Sequence, residues 1–180
     1  ELLQAVAEEA KVCHYLDIPI QHASDRVLKS MGRQTSQEEL RTKISRIREV
    51  IPDICLRTTL ISGFPGETQE DFEELYRFVN EMEFDRLGVF SYSQEEDTPA
   101  ARMPEQIEEA LKESRRDELM TLQQAIAFEK AEEAIGQVLP AMVEGKVAEE
   151  DVYVARTYKD APEVDGYLFI HTTASLMTGD

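Results

Sequence analysis

The sequence predicts an α/β fold with a parallel sheet, followed by a small β-rich module. Three observations carry this. Between residues 14 and 93 strand-like and helix-like segments alternate, which requires crossovers and therefore parallel strands. Residues 105–135 read as one long, highly charged helix, and after Gly136 short β-rich pieces separated by Gly, Asp and Pro take over. An open doubly wound sheet and a sector of a barrel both satisfy that order.

The elements follow in turn. HYLDIPIQ (14–21) is a short apolar run broken by Asp17 and Pro19, suited to a parallel strand and its exit. SDRVLKSMGR has Ser24 or Asp25 as a cap, Val27, Leu28 and Met31 on one face, and Gly32 as a stop. Ser36 and Glu39 have capping-box spacing ahead of Leu40, Ile44 and Ile47. ICLRTTLIS (54–62) is a strand, Thr68 and Asp71 open a helix striped by Phe72, Leu75, Phe78, Val79 and Met82, and FDRLGVFSYS (84–93) is the next strand. The long helix is expected to bury Ile107, Leu111, Leu119, Leu122 and Ile126. VLPAMVEG, DVYVART and DGYLFIHT give three strands of the terminal module.

Composition narrows the function. A formal net charge of -18 argues against nonspecific binding of a phosphate backbone. Residues 51–100 hold only three basic side chains against twelve acidic ones. No apolar run is long enough for a membrane span and no signal peptide is visible, so a cytoplasmic monomer is expected. The chain starts in the middle of an amphipathic pattern, as a fragment of something longer would. Cys13 and Cys55 lie 42 positions apart among apolar residues, which suits two buried, reduced thiols and not a metal pair.

ISGFPGET (61–68) joins a strand to a helix. It lacks the lysine of a phosphate-cradling loop and the GxGxxG spacing of a dinucleotide turn. Pro65-Gly66 suits a type II turn, Gly63 permits close backbone approach, and Glu67 sits where it serves the start of a helix. A structural turn and a cofactor edge both fit these residues.

The neighbours add a resemblance. YLDIPIQHASDRVLKSMGR, LRTTLISGFPGETQEDFEELYRFV and FDRLGVFSYSQEEDTPAARM resemble, in order and spacing, the C-terminal half of a radical-SAM barrel, specifically of the methylthiotransferase family. RRDELMTLQQAIAFEKAEEAIGQVLPAMVEG and ARTYKDAPEVDG look like the linker and TRAM domain that follow. The resemblance implies part of a TIM-like barrel at 1–103, a linker helix at 104–135 and a TRAM-like β-barrel at 136–180. With three strand candidates where a closed barrel needs about five, that last module looks unfinished. APEVDG resembles the RimO type, which modifies an aspartate β-carbon in a small-subunit ribosomal protein. A transfer-RNA adenosine methylthiotransferase and a noncatalytic protein-binding adaptor are the alternatives.

The family's enzymes use S-adenosylmethionine (SAM) and two [4Fe-4S] clusters held by cysteine triads. Neither triad is present, so the resemblance implies an active full-length parent and a segment inert by itself, with no catalytic or metal-binding residue of its own. By position it implies SAM contacts at Gln21, Arg57, Ile61, Gly63 and Tyr92: apolar contact from Ile61, clearance at Gly63, and a hydrogen bond to ribose or substrate from Gln21. Arg57, charged inside an apolar strand, suits a SAM or substrate carboxylate. Each has a plainer alternative. Gln21 ties down a loop, Arg57 pairs with Asp17 or Asp85, and Tyr92 is only a wall aromatic. His14 and His22 have no ligand partners at metal spacing, and His171 belongs to the terminal module.

That module carries Lys146, Arg156 and Lys159 against eight acids. Tyr153, Tyr158, Tyr167 and Phe169 could stack on bases, but the charge suits a basic ribosomal protein better than nucleic acid.

Overall fold

The computed structural model describes residues 1–180. The chain divides into two compact units, Leu16–Glu133 and Glu1–Tyr15 with Ala134–Asp180. The elements in chain order are α1 (Leu2–Glu8), β1 (Tyr15–Asp17), α2 (Asp25–Ser30), α3 (Gln37–Val50), β2 (Cys55–Ser62), α4 (Gln69–Met82), β3 (Arg86–Ser91), α5 (Glu109–Glu133), β4 (Met142–Lys146), β5 (Val152–Arg156) and β6 (Leu168–His171).

In the larger unit, β1, β2 and β3 form one sheet in that order. β2 and β3 are parallel, with Arg57 opposite Arg86, Thr59 opposite Gly88 and Ile61 opposite Phe90. Because side chains alternate along a strand, Leu56, Thr58, Leu60 and Ser62 share one buried face with Leu87 and Val89. Helices cover that face: α5 packs on β3, β2 and α4. Arg57, Thr59, Ile61, Arg86, Gly88 and Phe90 occupy the other face and are less buried. Phe78, Leu75 and Val79 of α4 are sealed from solvent with Leu56 and Leu60, each such side chain contributing roughly 1.5–3 kcal/mol.

The caps explain where the helices begin. Thr68 and Asp71 form a full reciprocal capping box on α4. Ser36 caps α3 by accepting from the Glu39 amide at 3.2 Å. Ser24 stands at the N-cap of α2 but does not cap it with its side chain. Its hydroxyl donates instead to Asp71 Oδ1 at 2.6 Å, tying the two helix starts together.

Helix α5 departs from the expected pattern. Its buried residues are Lys112, Arg115, Leu119, Gln123 and Ile126, whereas Leu111 is 43% exposed. The period is helical, but three of the five positions are polar. They are tolerated because each reaches a partner: Lys112 the Tyr92 carbonyl, Arg115 the Glu67 carboxylate, and Gln123 the Phe84 carbonyl. Through these contacts α5 packs within the Leu16–Glu133 unit.

In the smaller unit, β4, β5 and β6 form an antiparallel sheet. A bulge interrupts β4 between Val143 and Gly145. Val143, Val152, Tyr153 and Ala155 supply its core, while Tyr167, Leu168 and Phe169 are exposed. The Tyr15 hydroxyl donates to Asp165 at 2.8 Å, within the unit formed by Glu1–Tyr15 and Ala134–Asp180. Cys13 is exposed and only Cys55 is buried, against the expectation for both. Cys13 lies in the coil between α1 and β1. No helix is long and apolar enough to cross a membrane.

Candidate functional site

The candidate site is the C-terminal rim of the parallel sheet, where strand exits converge. Gln21 follows β1 and is stitched to β2 by its backbone. Its N–H donates to the Thr59 carbonyl at 2.9 Å and its carbonyl accepts from Ile61 N–H at 2.8 Å. Its φ of 71° is unusual for a side chain other than glycine; strain of this kind persists only where the surroundings over-determine it. The pairing of β2 and β3 runs one residue further at the same rim, Tyr92 N–H donating to the Ser62 carbonyl at 2.9 Å.

The GFPGET loop closes the rim. Glu67 N–H donates to the Phe64 carbonyl at 2.9 Å, and Gly66 has φ 80°, the geometry of a type II turn over Pro65-Gly66. Gly63 has φ 72°, and a Cβ there would stand 2.3 Å from Lys112 Cγ. The clearance at Gly63 is therefore filled by Lys112 of α5.

Glu67 does not serve the helix. Its carboxylate is sealed from solvent and accepts from Gly63 N–H at 2.9 Å and from Arg115 Nη1 at 2.7 Å. His22, fully buried, accepts the Ser24 N–H on Nδ1 at 2.9 Å. Its ring proton therefore sits on Nε2, which lies 3.4 Å from Glu67 Oε2 without a hydrogen bond. One carboxylate thus links the β1 exit, the loop and α5. Helix capping falls to Asp71, which also pairs with Arg26. Burial pushes the Asp71 carboxyl up, but hydrogen bonds from Arg26, Ser24 and Thr68 outweigh it and hold Asp71 well below the usual carboxylate range.

The expected residues fall into two groups. Ile61 packs against a cluster of Val27, Phe64 and Tyr92, and the Phe64 and Tyr92 rings meet edge to face at 5.4 Å. Tyr92 is 9% exposed and its hydroxyl has no hydrogen-bond partner. Gln21, Ile61, Gly63 and Tyr92 are together at the rim. Arg57 lies deeper along β2 and forms an ion pair with Asp17 at 2.5 Å. Sequence reading missed Lys112, Arg115 and the buried part of Glu67. The 112–115–119–123–126 period of α5 marks them once polar residues are allowed on a buried stripe.

No group of three or more His, Cys, Asp or Glu is placed to hold a metal ion. The rim offers backbone edges, an apolar wall and two buried hydroxyls without partners, those of Ser91 and Tyr92, so it is suited to binding a ligand.

Residues 1–79 match the model of the radical SAM superfamily, and residues 135–180 that of the TRAM domain. A solved structure of coproporphyrinogen III oxidase (HemN) from Escherichia coli, a radical SAM enzyme, shares the fold. It has a TM-score of 0.58 and 17% identity, covering 96% of this chain and 48% of that one. Among curated relatives, the ribosomal protein uS12 methylthiotransferase RimO of Lachnoclostridium phytofermentans is 58% identical over 180 residues, covering 100% of this chain and 41% of the relative. This chain belongs to the radical-SAM methylthiotransferase family, on its RimO side. The relatives of the same name from Alkaliphilus oremlandii and Clostridioides difficile are 49% identical over 179 residues and 47% over 180. They are covered to 41% and 40%, against 98% and 100% of this chain. The chain thus spans about two fifths of the length of the methylthiotransferases it matches.

Proposed function

We propose that the full-length protein is a cytoplasmic methylthiotransferase that modifies the β-carbon of an aspartate in a basic small-subunit ribosomal protein. The observation that carries this is 58% identity along all 180 residues to a relative named for acting on uS12. Within it, this chain supplies one wall of the SAM site and a protein-docking module.

The rim fits SAM. Tyr92 carries a buried hydroxyl lacking a partner, and such groups point to a missing acceptor or donor. Ile61 offers apolar contact for an adenine, the Gln21 side chain a hydrogen bond for the ribose, and Gly63 the turn that shapes the rim. Arg57, beside Asp17, would meet a carboxylate. Bound SAM supplies the radical that activates the C–H bond and the methyl group of the product. The two [4Fe-4S] clusters do not fit here: the chain's two cysteines, Cys13 and Cys55, form no ligand set. Their ligands belong to the remainder of the protein.

The module from Ala134 onward carries the charge argument. Three bases against eight acids over 136–180 repel a phosphate backbone and attract a basic protein. Tyr167 and Phe169 are exposed and serve as apolar anchors within that acidic surface. The test is a competition between the purified ribosomal protein and transfer RNA for the reconstituted full-length enzyme. Preference for the protein supports the reading; equal or stronger binding of transfer RNA overturns it.

A further inference from the structure

Helix α5 is tied to β3 at both ends of the strand, and only one of those ends lies at the rim. Gln123 Nε2 donates to the carbonyl of Phe84, just ahead of β3, at 2.8 Å. About three turns earlier on the helix, Lys112 Nζ donates to the carbonyl of Tyr92, just past β3, at 3.0 Å. Both side chains are buried. A neutral amide suffices at the strand's entry, whereas its exit is held by an ammonium, whose burial is far more costly. The rim is where that extra cost falls.

Lys112 joins the two strand exits that shape the rim. Its carbonyl accepts from the buried Ser62 hydroxyl at 3.1 Å, so the last residue of β2 fixes the helix backbone here. Its methylene stem fills the place where a side chain on Gly63 would stand. Its ammonium lies 5.4 Å from the centre of the Tyr92 ring, and Glu109, one turn earlier, accepts from it at 3.0 Å. The Tyr92 N–H is already committed to the Ser62 carbonyl at 2.9 Å. Both backbone groups of Tyr92 are thus fixed, one by β2 and one by Lys112. Its hydroxyl is left as the group without a partner.

We propose that Lys112 is a positioning residue for the SAM site. It sets the places of Tyr92 and Gly63 at the rim and touches no ligand itself. The inference rests on the reading of the rim as one wall of the SAM site. A charge-assisted hydrogen bond is roughly twice as strong as a neutral one, and the ring face and Glu109 offset part of the ammonium's desolvation. Such stiffness matters where a ligand is held, because a site left about 1 Å too loose by its supports fails.

The test compares Lys112→Met and Gln123→Met in the reconstituted full-length enzyme, with Lys112→Arg as the conservative variant. Methionine keeps most of either stem and removes the donor, so each variant takes one α5 hydrogen bond from a strand-end carbonyl. Calorimetry reads SAM affinity, while melting temperature and cluster absorbance report folding. Both methionine variants should lower the melting temperature to a similar degree. Lys112→Met should also weaken SAM by about tenfold, the low end of what losing a supporting hydrogen bond costs at metal sites. Gln123→Met should stay within about twofold of wild type, the scatter of a neutral change. Lys112→Arg, which keeps stem, charge and donors, should recover most of the loss. If Lys112→Met does not fold, Lys112→Gln, whose amide stops short of the carbonyl, takes its place in the comparison. Equal weakening of SAM by the Lys112 and Gln123 variants would mean general loosening of the sheet and overturn the proposal. Wild-type affinity in Lys112→Met overturns it too, and leaves the rim reading standing. A wild-type enzyme that takes up no SAM overturns both.

Discussion

Glu67 accepts a hydrogen bond from Arg115 at 2.7 Å while both side chains are almost closed to solvent, at 0% and 5%. Arg115 is the more constrained partner, since it also donates to the Glu67 carbonyl and lies over the Phe72 ring at 5.3 Å. Removing one charge from such a pair leaves the other buried and uncompensated. Glu67→Ala and Arg115→Ala should each destabilise the chain by about 3–5 kcal/mol. A Glu67→Leu/Arg115→Met pair, which leaves no stranded charge, should cost clearly less. Urea midpoints of the three variants check this; equal losses for all three would show that packing, not charge, dominates.

Gly63 supports a second prediction. At φ 72°, with Lys112 Cγ where a methyl would stand, Gly63→Ala meets both backbone strain and a collision. The backbone part alone is worth about 1 kcal/mol. Lys112→Ala removes Cγ but keeps the Cβ that would lie 2.9 Å away, so Gly63→Ala/Lys112→Ala should recover most of the collision and none of the strain, and the double variant should fall short of additivity. Thermal unfolding of the four members of this cycle provides the measurement.

Asp71 gives the fold an acid limit. Burial works to raise its pKa, but the hydrogen bonds from Arg26, Ser24 and Thr68 prevail and depress it. Its folded value therefore lies below the unfolded one of about 3.9. A depressed carboxylate stabilises the fold fully above the unfolded pKa and loses that contribution as pH falls through the folded value. Asp71→Asn should be markedly less stable than the parent at pH 7. The gap should narrow steadily below about pH 4. Urea titrations of both proteins at neutral and acid pH read this out; a pH-independent gap would assign the loss to geometry alone.

The parallel sheet was legible because its strands are apolar runs of the right length bounded by Gly and Pro, and because its helices carry recognisable caps. Thr68 and Asp71 fulfil the capping spacing in full. Ser24 shows where local reading stops: its spacing suits a cap, yet its hydroxyl serves Asp71, 47 residues away. The buried polar stripe of α5 escaped for the same reason. Lys112 and Arg115 look solvated along the helix, and only Tyr92, Gly63 and Glu67, brought up by the sheet, give them reasons to be inside. The rim set of Gln21, Ile61, Gly63 and Tyr92 came from the family resemblance, since none of these residues carries a chemical signal of its own. Arg57 did carry one, a charge in an apolar strand, and its partner Asp17 was one of the two that local sequence offered.

Tyr92 separates a ligand role from a packing role. Its ring is held by Phe64 and by Lys112 Nζ at 5.4 Å, and its carbonyl accepts from the same ammonium at 3.0 Å. None of these contacts uses the hydroxyl, which is buried and unpartnered. Burying such a group costs about 1–3 kcal/mol, so Tyr92→Phe should leave the melting temperature unchanged or raise it slightly. If the hydroxyl meets SAM, the same variant of the reconstituted full-length enzyme should bind SAM several-fold more weakly, the loss of one hydrogen bond of about 0.5–1.5 kcal/mol. Stability and affinity then move in opposite directions, which a packing role cannot produce. Calorimetric titration of SAM alongside thermal unfolding decides it: a variant with unchanged SAM affinity reduces Tyr92 to a wall of the rim.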